Sequence, residues 1–153
     1  MDTKRILMFE ENYDSLKSLK EHLEERFGWQ VELTAEESIR ERLAETHFDL
    51  ILVDLMIAPV SLNDKGKEVK NVHFDGVNWQ ETGREFLRRL RRGEFVREEG
   101  TGTPAEVPVI AFSAVASDTV KKELSGELKV SDYLSKPFRL EEIVARIREV
   151  MKE

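Results

Sequence analysis

The sequence predicts an α/β domain built from five strand–helix units around a parallel sheet, and three observations carry that prediction. Short aliphatic runs alternate along the chain with segments of helical period. The run Leu50-Ile-Leu-Val53 is apolar at every position, as a parallel strand covered on both faces requires. The helical segments carry apolar stripes, which right-handed crossovers must bury against a common sheet.

The elements follow in order. RILMF (5–9) reads as the first strand, and the helical segment 12–27 places Leu16, Leu19, Leu23 and Phe27 on one face. QVELT (30–34) is the second strand. Thr34-Ala-Glu-Glu37 then has the form of a capping box, opening a helix whose buried face continues through Ile39 and Leu43. After the third strand, helical pattern resumes near Gly83 with Phe86, Leu87 and Leu90. VPVIAF (107–112) is the fourth strand and 117–125 its helix. DYL (132–134) is a short fifth strand, followed by a closing helix striped by Leu140, Ile143, Val144, Ile147 and Met151.

Composition narrows the function classes. With 153 residues, 40% hydrophobic and 36% charged, the chain suffices for one compact domain and leaves no length for a second, so a single stand-alone domain is expected. No apolar run approaches the roughly 18 residues of a membrane span, and MDTKRILMF lacks the form of a signal peptide. The absence of cysteine excludes thiolate metal sites, disulfides and cysteine nucleophiles, and fits a cytoplasmic location. A net charge of −7 argues against nucleic-acid and membrane partners. No phosphate loop of GxxxxGK[ST] type or EF-hand loop occurs, and His22, His47 and His73 match no metal-ligand spacing.

In open α/β sheets, ligands bind beyond the carboxyl ends of the strands. Asp54, a lone carboxylate, ends the third strand. The first strand delivers Glu10 and Glu11 to the same rim, the fourth Ser113, and the fifth Lys136 just before Pro137. Three carboxylates packed together repel one another unless they share a cation. A hard, oxygen-seeking divalent ion suits them, Mg²⁺ first, with Mn²⁺ or Ca²⁺ in its place. A hydroxyl and an ammonium opposite suit phosphoryl oxygens, with Asp54 as the nucleophile.

With RILMFEEN, LILVDLMI, TGREFLRRLR, VPVIAFSA and DYLSKPF in this order, the chain resembles a CheY-like receiver domain of a two-component response regulator over essentially its whole length. The resemblance implies a flavodoxin-like (βα)5 fold, doubly wound, with strand order 2-1-3-4-5. It implies phosphorylation of Asp54 by a sensor histidine kinase or histidine phosphotransfer protein. Mg²⁺ would be held by Glu10, Glu11, Asp54 and the backbone carbonyl of Met56. Ser113 and Lys136 would contact the phosphoryl group, Tyr133 would act as the switch aromatic, and the Lys136–Pro137 bond would be cis. The output would be a changed surface on the fourth helix, fifth strand and fifth helix, read by another protein or by homodimerisation. No turnover of an external substrate is implied. A dehalogenase-type phosphatase would want a second acid two residues after the nucleophile, where Met56 stands.

Two departures from the family pattern stand out. The strand-one acids, normally aspartates, are both glutamates here, each placing its carboxylate roughly 1.5 Å farther from the backbone. Such a shift is large for an ion with ligands at about 2.0–2.1 Å, so altered metal affinity is expected, and a phosphorylation-independent interaction module is the alternative reading. The second departure is an insertion at about 58–81, in which NDKGK reads as a turn and the alternation around Val69–Phe74 as a short hairpin. Phe74 and Trp79 are expected either to pack on their own domain or to face a partner. An extended loop at about 93–106 is expected to supply no core, and RRLRR (88–92) to be the solvated flank of the third helix.

Overall fold

The computed structural model describes residues 3–96, 102–114 and 116–152. Five parallel strands form one sheet: β1 (Arg5–Phe9), β2 (Gln30–Leu33), β3 (Leu50–Asp54), β6 (Val109–Ser113) and β7 (Asp132–Ser135), in the spatial order β2-β1-β3-β6-β7. Counted within the sheet alone, this is the doubly wound order 2-1-3-4-5. Registers are Ile6 with Leu50, Asp54 with Phe112, and Ser113 with Ser135, so the strand ends line up on one rim.

Side-chain alternation divides the core between the two faces. Ile6, Met8, Leu50, Leu52, Ile110 and Phe112 pack against α1 (Tyr13–Phe27) and α5 (Leu140–Met151). Leu7, Phe9, Ile51, Val53, Val109 and Ala111 pack against α2 (Ile39–Glu45), α3 (Thr82–Arg91) and α4 (Asp118–Ser125). Phe9 stacks on Phe86 with ring centroids 4.2 Å apart, joining the central strands to α3. Gly83 admits no side chain, because a Cβ there would lie 2.4 Å from the Asp54 carbonyl oxygen. That close approach seats the start of α3 directly behind the mouth of β3.

Within the expected insertion, β4 (Val60–Leu62) and β5 (Glu68–Lys70) form an antiparallel hairpin, closed where Asn63 N–H donates to the Lys67 carbonyl at 2.8 Å. The turn lies where NDKGK places it, but the second strand comes earlier than the Val69–Phe74 alternation suggests. Val72 and Phe74 lie beyond it and are buried in the main core, at 0% and 3% exposure. Phe74 is enclosed by two guanidinium groups, Arg89 at 4.2 Å and Arg40 at 5.3 Å from the ring centroid. Trp79, in a 3₁₀ turn (Trp79–Glu81), is 42% exposed.

The capping box does not form. Thr34 Oγ1 accepts from Glu36 N–H, Glu37 N–H donates to the Lys70 carbonyl, and Val72 N–H donates to the Ala35 carbonyl. Lys70 at the end of β5 and Val72 just beyond it have claimed the backbone groups of Glu37 and Ala35, and α2 starts only at Ile39.

The extended loop also departs from expectation in its described part. Thr103 is 1% exposed; its hydroxyl donates to the Thr46 carbonyl at 2.6 Å and accepts from Phe48 N–H at 2.9 Å. Phe95 stacks near Phe86 with centroids 5.5 Å apart, while residues 97–101 lie outside the described residues. The RRLRR cluster is structural rather than a solvated flank. Arg91 donates to the carbonyls of Ala105, Val107 and Leu128, and Arg88 pairs with Glu85 and Glu123.

Thr103→Val keeps shape but strands a buried donor and a buried acceptor. It is expected to cost about 1–3 kcal/mol, visible as a lower urea midpoint with unchanged m-value.

Candidate functional site

Asp54 closes β3 with 6% exposure, between the ends of β1 and β6. Its Oδ1 accepts from Met56 N–H at 3.0 Å, and its Oδ2 accepts from Lys136 Nζ at 3.0 Å. The same ammonium donates to Glu10 Oε1 at 2.8 Å. Lys136 follows β7, is tied to the rim by its backbone N–H to the Ser113 carbonyl at 2.9 Å, and precedes a cis peptide to Pro137. Its Nζ also lies 5.1 Å from the Phe112 ring centroid.

Glu10, at 2% exposure, is hydrogen-bonded at both oxygens. Oε1 accepts from Ser15 Oγ at 2.9 Å in addition to Lys136, and Oε2 accepts from Glu11 N–H at 3.1 Å. Burial, reinforced by contact with the Asp54 carboxylate and opposed by Lys136, pushes the Glu10 carboxyl up to about 7. For Lys136, burial works against the charge, but the bonds to Glu10 and Asp54 outweigh it and hold the ammonium above the ordinary lysine value.

Glu11 is turned elsewhere: its Oε1 accepts from Ala58 N–H at 3.0 Å, just before the β4–β5 hairpin. Ser113, 1% exposed, stands one residue past Phe112, the register partner of Asp54. Tyr133 is half-buried, with its hydroxyl 3.5 Å from the Ser113 carbonyl, which accepts from it. The backbone of Met56 engages Asp54 through its N–H. An open cleft of about 380 Å³ beside these groups is lined by Met56, Asn78, Glu81, Arg84, Ser113 and Ser117.

The structure thus brings Glu10, Asp54, Ser113 and Lys136 to one rim, with Tyr133 behind it, and sets Glu11 aside. Sequence reading missed Ser15 and the Ala58 amide. Ser15 stands in the first turn of α1, facing back toward the strand it follows, a spacing that could have signalled it; the Ala58 contact spans 47 residues and left no local trace.

No family model matches the chain. Curated relatives are response regulators and transcriptional regulatory proteins. They include YkoG of Bacillus subtilis, 26% identical over 100% of this chain and 53% of its own length, and CrdR of Helicobacter pylori, 29% identical over 95% and 54%. ArlR of Staphylococcus saprophyticus is 26% identical over 97% and 52%. The chain spans about half the length of these relatives. Among solved structures, the non-phosphorylated HemR receiver domain of Leptospira biflexa superposes with a TM-score of 0.68 at 23% identity, covering 99% of this chain and 96% of that one. A CheY-like receiver domain protein of Methanospirillum hungatei gives 0.66 at 20%, covering 99% and 95%.

The fold is therefore the flavodoxin-like fold of CheY-like receiver domains. The sequence likeness to response regulators and transcriptional regulatory proteins spans nearly the whole chain, and the fold likeness to receiver domains covers 99% of it. Receiver domains generally bind a divalent metal. The donor set here does not fit that group. Glu10 and Asp54 share an ammonium, Glu11 is bonded to Ala58, and among the described residues no three acids or histidines are gathered for an ion. Among those residues, too, no helix is long and apolar enough to cross a membrane.

A carboxyl whose folded pKa is raised contributes stability that is fully present below its unfolded value and lost as pH climbs through the folded one. Glu10 rises from 4.5 to about 7, so its contribution falls across that window. Wild type should lose stability relative to Glu10→Gln by up to about 1.4 kcal/mol per pH unit between these values, measured as the difference in urea midpoints across pH.

Proposed function

We propose that the chain is a single receiver domain, with residues 58–81 as an insertion and 93–106 as an extended loop, that accepts a phosphoryl group on Asp54 and changes its partner-binding surface in response. The observation that carries this reading is Asp54 itself, at the mouth of the central strand, with the Lys136 ammonium 3.0 Å from one carboxylate oxygen. In it, the other oxygen attacks phosphorus and the bond to the donor's leaving group breaks. Lys136 then faces a phosphoryl oxygen, and Ser113, next to the register partner of Asp54, is the residue this reading assigns to another. The cleft beside Met56 and Ser113 is the side from which a donor approaches. No step passes through a divalent ion.

The donor in this reading is a sensor histidine kinase or a histidine phosphotransfer protein. Phosphorylation adds charge and three acceptor oxygens beside Lys136. Drawing Ser113 toward them opens room for Tyr133 to turn inward and alters the face made by α4, β7 and α5, where a downstream protein or a second copy would bind.

One observation favours a second reading, a phosphorylation-independent interaction module: Lys136 already neutralises a nearly buried Asp54, while Glu11 is bonded to Ala58 instead of facing that site. Incubation with a small phosphodonor and intact-mass measurement separates the two. A gain of one phosphoryl group, abolished in Asp54→Ala, is expected; no gain across donors and metals supports the second reading.

A further inference from the structure

We propose that in this chain the counter-charge of the Glu10–Asp54 pair is the Lys136 ammonium itself. Glu11, which the family pattern would give to a metal, serves instead as a positioning residue fixing the insert at Ala58. Divalent cations then have no tight site here.

Three sets of contacts carry the inference. Lys136 Nζ lies 2.8 Å from Glu10 and 3.0 Å from Asp54, so one ammonium serves both carboxylates at hydrogen-bond distance. An ion needing near-octahedral oxygens at about 2.0–2.1 Å would have to displace that ammonium or take the remaining oxygens, Glu10 Oε2 and Asp54 Oδ1, each of which already accepts from a backbone N–H. Glu10 is already bonded by Ser15, Lys136 and the Glu11 amide, so ligation would break bonds inside a nearly closed site. Glu11 lies outside the pair.

Ala58 is held on both sides: its N–H by Glu11 at 3.0 Å, its carbonyl by Asn71 Nδ2 at 2.8 Å. Asn71 is 2% exposed and also donates to Ser61 Oγ, linking the two ends of the hairpin. The glutamate at 11 and the insert thereby explain each other. An aspartate, shorter by one carbon–carbon bond of roughly 1.5 Å, would fall short of Ala58 from the same backbone position.

The test uses the full chain and the metals alone. A site with a dissociation constant near 0.1 mM would raise Tm by several degrees at about 10 mM ion. Wild type should move by less than about 1 °C with Mg²⁺ or Mn²⁺, whereas Lys136→Met, whose acid pair has lost its cation, should gain several degrees with Mn²⁺. Independently, Glu11→Ala should speed amide exchange at Ala58 by at least about tenfold, and Glu11→Gln, which keeps the acceptor oxygen, should restore slow exchange. A several-degree shift in wild type, with Mn²⁺ broadening the amide resonances of Glu11 and Ala58, overturns the proposal; so does unchanged Ala58 exchange in Glu11→Ala. Neither measurement needs a phosphodonor, so failure here is distinguishable from failure to gain a phosphoryl group at Asp54.

Discussion

One ammonium between two buried carboxylates is the constraint around which the rim is built. Glu10 and Asp54 sit at the ends of adjacent parallel strands, where the register places them side by side whatever their charge. Two carboxylates so enclosed cannot both ionise without a cation in contact. Lys136 supplies it from the far edge of the sheet, after β7, held by its own backbone bond to Ser113. The bond reaches across β3 and β6, so the charge balance at the site also ties the fifth unit of the fold to the first.

The segment 58–81 is the second organising feature, and it is not an appendage. Its hairpin bonds to residues 35–37, its Val72 and Phe74 complete the core over α2 and α3, and its first residues are held by Glu11. Arg40 and Arg89 close over Phe74 from two different helices, so a single aromatic ring couples insert, α2 and α3. Removing a strong local signal, the Thr34–Glu37 capping box, is the cost of this docking. Backbone bonds to Lys70 of β5 and to Val72 just after it replace the reciprocal cap, and the helix starts one turn later.

What can be read from the sequence follows from the range of the interactions involved. Each parallel strand and its helix announces itself through local periodicity, and the right-handed crossover rule orders them, so the sheet and its rim are within reach of the residues alone. The candidate site is readable as far as it consists of strand ends: Glu10, Asp54, Ser113 and Lys136. Where a side chain turns after leaving the strand is set by non-local partners. Glu11 and Asp54 look alike in sequence, yet one meets an amide 47 residues away and the other an ammonium 82 residues away. Arg91 and Thr103 escape a local reading for the same reason: they are polar residues in polar stretches, each bonded by carbonyl or amide groups brought in from elsewhere, with Thr103 fully buried and Arg91 partly so.

A lysine-balanced rim changes the energetics that a switch at Asp54 would face. In the resting structure, Lys136 is committed to two carboxylates at once, so a phosphoryl group on Asp54 competes with Glu10 for the same ammonium. A unit-charge pair about 4 Å apart at an effective dielectric near 20 attracts by on the order of 4 kcal/mol before desolvation is subtracted. Moving a two-state equilibrium from 1:99 to 99:1 takes roughly 5.5 kcal/mol of differential interaction. One re-aimed lysine bond does not reach that figure, because the bond it leaves at Glu10 must be counted against it. Burial and the neighbouring Asp54 carboxylate already favour the protonated form of Glu10, which lowers the cost of the bond that Lys136 would leave there. The re-aimed Lys136, Ser113 and the inward turn of Tyr133 would then have to act together, and the closeness of Tyr133 to Ser113, beside Lys136, makes such cooperation physically available.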